Sequence, residues 1–275
     1  MLTPIFDSHT HSENSPDGRH TLSRMCETAC DKGLMGFAIT DHCDFNQFEE
    51  ENFQNRCFLS RYHAKKSRVG FAGQIKLITG VEIGQPLEVP DISEPFIDRY
   101  AEEYDFYLCS LHNNIGREDF YFLDYDALSA GQLRQLLEEY FSQVTDIVRW
   151  NKFDSLAHLT YPLRYLVGSQ HAPLDLAPYR GQMEELLGLL AQNGKALEIN
   201  TSGLRQNMGE TMPNLEVLKL FRKLGGQYVT VGSDAHTVDV MADGFDVAFG
   251  MLKEAGYDRY YYYEKHQPVP IEILD

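Results

Sequence analysis

The stretch Phe6-Asp7-Ser8-His9-Thr10-His11 decides the reading of this chain. It places two imidazoles one residue apart at the end of a short strand-like run. In an extended strand, side chains i and i+2 share a face, so both rings can meet one metal ion. An isolated His-x-His is weak evidence, because stray surface matches are common. Working outward, the feature repeats: Asp41-His42, Glu82, His112, His158 and Asp234-Ala235-His236 all stand near the ends of strand-like runs. A polynuclear metal site is the leading expectation.

The runs themselves recur at helix-sized intervals: Ile5–His11, Gly36–His42, Lys76–Ile83, Phe106–His112, Ser155–His158, Ala196–Thr201 and Tyr228–Asp234. They are short, apolar and rich in β-branched or aromatic residues, as strands buried on both faces are. Amphipathic helical patterns alternate with them. Thr21–Lys32 opens on a Thr cap and stops at Gly33. Ser129–Trp150 opens on Ser129-x-x-Gln132, a capping-box signature, with Leu133, Leu136, Leu137 and Tyr140 along one face. Pro95–Tyr104, Pro178–Gln192, Pro213–Leu224 and Val238–Glu254 read as further helices, with Pro86–Pro95 as a loop and Pro213 in a first helical turn. Asn46–Phe71 reads as a helical excursion covering the site. Seven βα-like units predict a parallel, barrel-type α/β sheet, whose active site would form at the strand C-termini. An open doubly wound sheet is the alternative, but its sites gather at one switch point. Residues 1–275 are expected to form a single domain.

Composition narrows the function. The net charge of −17, from 24 basic and 41 acidic residues, comes without any Lys/Arg stripe. That weighs against a long nucleic-acid substrate but leaves room for a small phosphorylated one. No apolar run approaches the ~20 residues that span a bilayer. Five cysteines, Cys26, Cys30, Cys43, Cys57 and Cys109, form no disulfide framework, and Met1–Pro4 leads almost at once into the first strand. A cytoplasmic chain without a membrane partner is expected.

Six of the ten histidines join Asp17, Glu82 and Asp234 in the candidate site. Neutral imidazole and carboxylate favour zinc, manganese or iron. A carboxylate such as Glu82 can bridge two ions, which would lower the pKa of a shared water and clamp an in-line displacement at phosphorus. Arg164 and Arg205 can supply guanidinium forks to phosphate oxygens, or equally form surface salt bridges. Each residue also has an ordinary reading. A lone His42 or His112 is more often a core or surface histidine, and Pro16-Asp17-Gly18 is a good turn sequence. His20, His63, His171 and His266 fall outside the pattern as structural or surface residues.

These residues, in this order, resemble the PHP (polymerase and histidinol phosphatase) metallophosphoesterase family. The matching elements are Asp7-Ser8-His9-Thr10-His11 with Ser15-Pro16-Asp17-Gly18, Ile39-Thr40-Asp41-His42, Gly80-Val81-Glu82, Ser110-Leu111-His112, Ala157-His158 and Gly232-Ser233-Asp234-Ala235-His236. The resemblance implies a distorted (β/α)7 TIM-like barrel with three divalent ions (zinc, iron or manganese) at its mouth. His9, His11, Glu82 and Asp234 would hold one ion. Glu82, His112 and His158 would hold the second, and Asp17, His42 and His236 the third. Length and layout are most similar to the stand-alone histidinol-phosphate phosphatases. That likeness implies hydrolysis of L-histidinol phosphate to L-histidinol and phosphate in histidine biosynthesis, by attack of a metal-bound hydroxide. Arg164 and Arg205 would grip the phosphate, and Glu82, Asp234 and His236 would serve the chemistry. The acidic segment Asn113–Tyr121 would face a cationic amine. Two other readings stay open: the same site acting on another small monoester or a nucleotide, and a non-catalytic metal-binding accessory module.

Overall fold

The apolar runs become the strands β1 (Phe6–Thr10), β2 (Gly36–Ile39), β3 (His42–Asp44), β4 (Lys76–Gly84), β5 (Phe106–Ser110), β6 (Ser155–Leu156), β7 (Ala196–Asn200) and β8 (Val229–Gly232). The computed structural model describes residues 2–166, 176–206 and 208–274. All eight strands are parallel, in the order β1-β2-β4-β5-β6-β7-β8, with β3 also paired to β4. At the last residue of β1 and just beyond β8 a Thr10–Ala235 bridge closes the ring, through Asp234 N–H to His9 O (2.8 Å) and His11 N–H to Ala235 O (2.9 Å). The architecture is therefore the expected distorted seven-stave barrel.

One stave differs from the expected continuous Gly36–His42 strand. Its lower half β2 pairs with Lys76–Thr79 and its upper half β3 with Glu82–Gly84. Thr40-Asp41 break the ladder because their side chains serve other partners. Thr40 Oγ donates to Thr10 O, and Asp41 accepts from Ser12, Ser15 and Ser60.

The helices are α1 (Leu22–Asp31), α2 (Phe53–Gly70), α3 (Pro90–Tyr100), α4 (Ala130–Trp150), α5 (Leu163–Leu166), α6 (Arg180–Gln192), α7 (Leu215–Lys223) and α8 (Phe245–Glu254). Thr21 caps α1 and the Ser129/Gln132 capping box opens α4, as their sequences predict. The inner face of α4 buries Leu136, Leu137, Tyr140, Phe141, Val144, Ile147 and Val148. Each such side chain contributes roughly 1.5–3 kcal/mol.

Three boundaries depart from expectation. α3 begins at Pro90 rather than Pro95, because proline is well tolerated in a first turn, and Pro95 lies inside the helix. Pro213 stands outside α7, where Asn214 provides the cap. The Val238–Glu254 pattern divides at Gly244 (φ 75°) into a short 3-10 turn and α8.

A C-terminal antiparallel hairpin, β9 (Arg259–Glu264) and β10 (Gln267–Glu272), has no counterpart in the sequence reading. It packs under the barrel, at the N-terminal ends of the strands. Tyr260 Oη accepts from Phe6 N–H (2.8 Å) and donates to Pro4 O (2.6 Å), while Tyr262 stacks on Phe6 and Tyr263 on Phe106. With the lower end sealed, the opposite mouth is left for chemistry. Among the described residues, no helix is long and apolar enough to cross a membrane.

Candidate metal centre

Every side chain singled out as a metal ligand reaches the C-terminal mouth of the barrel. Glu82 projects from β4 into its centre and is fully buried. Its Oε2 lies 3.2 Å from His9 Nε2, 3.5 Å from His11 Nε2 and 3.0 Å from His42 Nδ1. Its Oε1 turns the other way, 3.2 Å from His112 Nε2 and 3.0 Å from His158 Nε2. Asp234 Oδ1 joins the first group, 3.6 Å from His9 Nε2 and 3.4 Å from His11 Nε2. At the rim, Asp17 Oδ2 is 3.0 Å from His236 Nε2 and Asp17 Oδ1 is 3.8 Å from His42 Nε2. Although 60% of the Asp17 side chain is exposed, it belongs to the cluster. Ligand atoms come within 4.8 Å of one another in four overlapping sets: His9/His11/Asp234, His9/Glu82/His158, His42/Glu82/His112 and His11/His42/His236.

This donor set fits divalent ions better than it fits itself. His9 Nε2 and His11 Nε2 face each other at 3.0 Å, so at most one can carry a proton without a clash of like groups. The buried His42 Nδ1 and His236 Nε2 each lie 3.0 Å from a carboxylate oxygen, of Glu82 and Asp17, yet make no well-aligned hydrogen bond among the described residues. Orphaned buried nitrogens beside carboxylates are costly in a protein alone, but are what a cation would need.

The titration behaviour has the same origin. Burial opposes charge on Glu82, yet His42, His9 and His112 hold its carboxyl well below the ordinary range. Burial likewise opposes ionisation of Asp234, and His9 with a hydrogen bond from His11 overcomes it. Burial disfavours the His42 cation, but Glu82 and then Asp44 and Asp17 push its pKa up to about 9. His11 goes the other way, down to about 3, because burial adds to repulsion from His236 and His42. The groups that would hold cations are thus the ones whose titration the cluster perturbs most.

Several residues that the sequence left without a role orient these rings. Glu198, buried on β7, takes His9 Nδ1 at 2.7 Å through Oε1 and accepts the His158 backbone N–H at 2.8 Å through Oε2. Asp44 Oδ1 holds His112 Nδ1 at 3.0 Å. Ser15 Oγ contacts His11 Nδ1 (3.0 Å), accepts His42 N–H (3.0 Å) and donates to Asp41 (3.2 Å). Asp41 is thus a support behind the cluster, not a member of it. Such partners fix which imidazole nitrogen faces inward. The packing leaves no slack: a Cβ at Gly232 would come within 2.4 Å of both Glu198 Oε1 and the His9 Cβ.

The run Asn200–Arg205 converges on Asp234. Asn200 Nδ2 bridges Glu198 and Asp234, Ser202 Oγ donates to Asp234 Oδ2, and Arg205 Nη2 donates to the backbone oxygens of Ser233 (2.6 Å) and Asp234 (3.1 Å). These bonds hold Asp234 at φ 55°, a conformation that an L-residue adopts only when its surroundings impose it. Arg205 Nη1 is buried and has no hydrogen-bonding partner among the described residues. Above the cluster lies a cavity of about 720 Å³, lined among others by Arg164, Arg205, Asp119, Tyr121, Phe122 and Tyr161. The Arg164 guanidinium lies 5.0 Å from the ring centres of Tyr161 and Tyr165. From the Asn46–Phe71 excursion, Asn46, Gln47, Glu51 and Phe53 edge this cavity while the rest of α2 runs down the outside of the barrel.

The remaining histidines take ordinary places. His20 Nδ1 meets Val238 N–H, His63 contacts Asn14, and His266 lies under the barrel against Asp154. His171 lies outside the described residues. Cys43, beside His42, points into the hydrophobic core.

A PHP domain family model matches residues 7–202. The chain belongs to the PHP domain family. Asp234 and His236 lie beyond the matched stretch, and the barrel closure brings them to it. This PHP chain is 29% identical over 253 residues to a probable histidinol-phosphatase of Clostridium acetobutylicum, covering 90% of this chain and 93% of the relative. It is also 29% identical over 256 residues to the histidinol-phosphatase of Lactococcus lactis subsp. lactis, covering 92% and 91%. The crystal structure of the Lactococcus lactis histidinol phosphate phosphatase, complexed with zinc, L-histidinol and phosphate, shares the fold at a TM-score of 0.77 and 24% identity, over 98% of this chain and all of that one.

Proposed function

We propose that this PHP protein is a metal-dependent phosphomonoesterase that hydrolyses L-histidinol phosphate to L-histidinol and phosphate. The observation that carries the reading is the split of Glu82, with one oxygen toward His9 and His11 and the other toward His112 and His158. His9, His11, Glu82 and Asp234 would hold one ion; Glu82, His112 and His158 a second; Asp17, His42 and His236 a third. Zinc, iron and manganese all suit this donor set, and zinc is the ion in the related crystal structure. Divalent ions there supply Lewis acidity and bring the pKa of water near neutrality.

The chain's own residues do the rest. Arg164 and Arg205 line the cavity and bind phosphoryl oxygens, favouring the charge that grows on them during transfer. Asp234 and His236, 3.5 Å apart (Oδ1 to Nδ1), border the cavity where a water relays the proton to the leaving alkoxide. Asp119 lines the same cavity with Tyr121, Phe122 and Tyr161, offering a carboxylate to an ammonium group and aromatic faces to a flat ring. A cavity of about 720 Å³ suits a small molecule of this kind.

The test is phosphate release from a panel of small monoesters by metal-loaded protein, with metal content measured on the same sample. L-histidinol phosphate is expected to give the highest kcat/KM. Rapid hydrolysis of another monoester with none of histidinol phosphate overturns the substrate assignment. Metal loss without loss of hydrolytic activity overturns the metal-dependent mechanism, and no phosphate release from any monoester by metal-loaded protein overturns the enzyme reading.

A further inference from the structure

The α2 helix is apolar on both sides. Phe53, Cys57 and Ala64 face the barrel and are buried. On the opposite side Phe58 is 55% exposed, Tyr62 49% and Val69 79%. With 100° per residue, Asn55, Phe58, Tyr62, Lys65, Lys66 and Val69 fall within one outward stripe, and Asn55-Phe58-Tyr62-Lys65-Val69 follow the 3-4-3-4 spacing of a helix-pairing seam. Phe58 stacks on Tyr62, and Lys66 Nζ lies 5.4 Å from the Tyr62 ring, so the patch is pre-ordered. Outer helices of a barrel normally present polar residues to water, as α4 does with Gln135, Glu139 and Arg149.

Charge along the helix is polarised. Glu49, Glu50 and Glu51 precede its start, whereas α2 itself contains no acidic residue and carries Lys65, Lys66 and Arg68 in its second half. Glu51 and Arg68 are engaged with Arg56 and Asp105 within the chain. Glu49, Glu50, Lys65 and Lys66 are exposed.

We infer that this face pairs with the same face of a second copy, the two α2 helices running antiparallel about a two-fold axis near residue 60. Phe58 of each copy then meets Tyr62 of the other, giving a four-ring centre. About that axis Lys65 and Lys66 of each copy lie opposite Asn55 and Gln54 of the other, four to six residues from the exposed Glu49-Glu50 that precede its α2. A parallel arrangement would set lysine against lysine and is disfavoured. A self-complementary patch of this kind is what a two-fold dimer requires. One helix pair makes a small interface, so the dimer dissociates on dilution.

Sedimentation velocity of the full chain over a concentration series reads this directly. The expected result is a species of twice the 31.5 kDa protomer mass that gives way to the protomer as concentration falls. Phe58→Asp and the pair Lys65→Glu/Lys66→Glu should each yield protomers across the series, with unchanged kcat and far-ultraviolet circular dichroism. Adding Glu49→Lys/Glu50→Lys to the lysine variant should restore the dimer. A wild-type chain that stays a protomer at every concentration overturns the inference. So does a dimer unaffected by Phe58→Asp, or a charge-swapped variant that fails to re-associate while retaining activity.

Discussion

Glu198 shows how much of a metal site lies behind its ligands. It touches no position where an ion would sit, yet it holds His9 by Nδ1 at 2.7 Å and so keeps Nε2 facing Glu82 and Asp234. Glu198→Gln keeps the shape but can donate where His9 must donate. Partners of this sort are worth about 10–100-fold in metal affinity. Competition with a chromophoric chelator should show that loss, with kcat recovering at saturating metal. Arg205 has two duties, since Nη2 anchors the strained Asp234 backbone while the residue also lines the cavity. Losing a charge-assisted bond costs about 1.5–3 kcal/mol, so Arg205→Ala should raise KM by roughly 10–100-fold. It should also lower kcat through the freed Asp234, and steady-state kinetics separate the two effects. Most candidate ligands were legible in sequence because they stand at or near the ends of apolar runs, a mark that Asp17, in the turn sequence Pro16-Asp17-Gly18, lacks. Glu198 and Asp44 were not, because their partners are distant in sequence and meet them only when the ring of strands closes.

At the scale of elements, the staves and capped helices were legible and the C-terminal hairpin was not. Arg259–Glu264 reads RYYYYE, where four amphipathic tyrosines hide the two-residue alternation that marks a strand. Pro268 and Pro270 argue against a strand, yet are tolerated because β10 is an edge paired only to β9. The hairpin is pinned by His266, whose Nδ1 faces Asp154 Oδ2 (2.7 Å) and whose Nε2 faces Ala101 O (2.9 Å). Two acceptors require two donors, so the imidazolium is the form that fits. Burial lowers the His266 pKa, but the hydrogen bond and charge of Asp154 outweigh it, and the folded value is raised. A raised folded pKa gives stability that is complete below the unfolded pKa of about 6.5 and is lost as pH rises through the folded one. The stability gap between wild type and His266→Gln in urea denaturation should therefore be largest near pH 6 and shrink toward pH 9. On the order of 1 kcal/mol is expected for a partly exposed pair. A gap that grows with pH contradicts the assignment.

For the whole molecule, one physical claim organises the rest: the barrel closes so that distant segments bring six imidazoles and three carboxylates to one mouth. Folding the ligands together without cations leaves buried nitrogens without well-aligned hydrogen bonds and carboxyls, Glu82 and Asp234, whose titration the cluster perturbs. Ions would relieve both, so metal binding and stability are coupled here. Anomalous diffraction from crystals grown with zinc tests this most directly. The account predicts three peaks, at roughly 2.0–2.2 Å from their nitrogen and oxygen donors, with Glu82 shared between two of them. Zinc peaks only at surface residues, with the Glu82 oxygens bound to no ion, would contradict it.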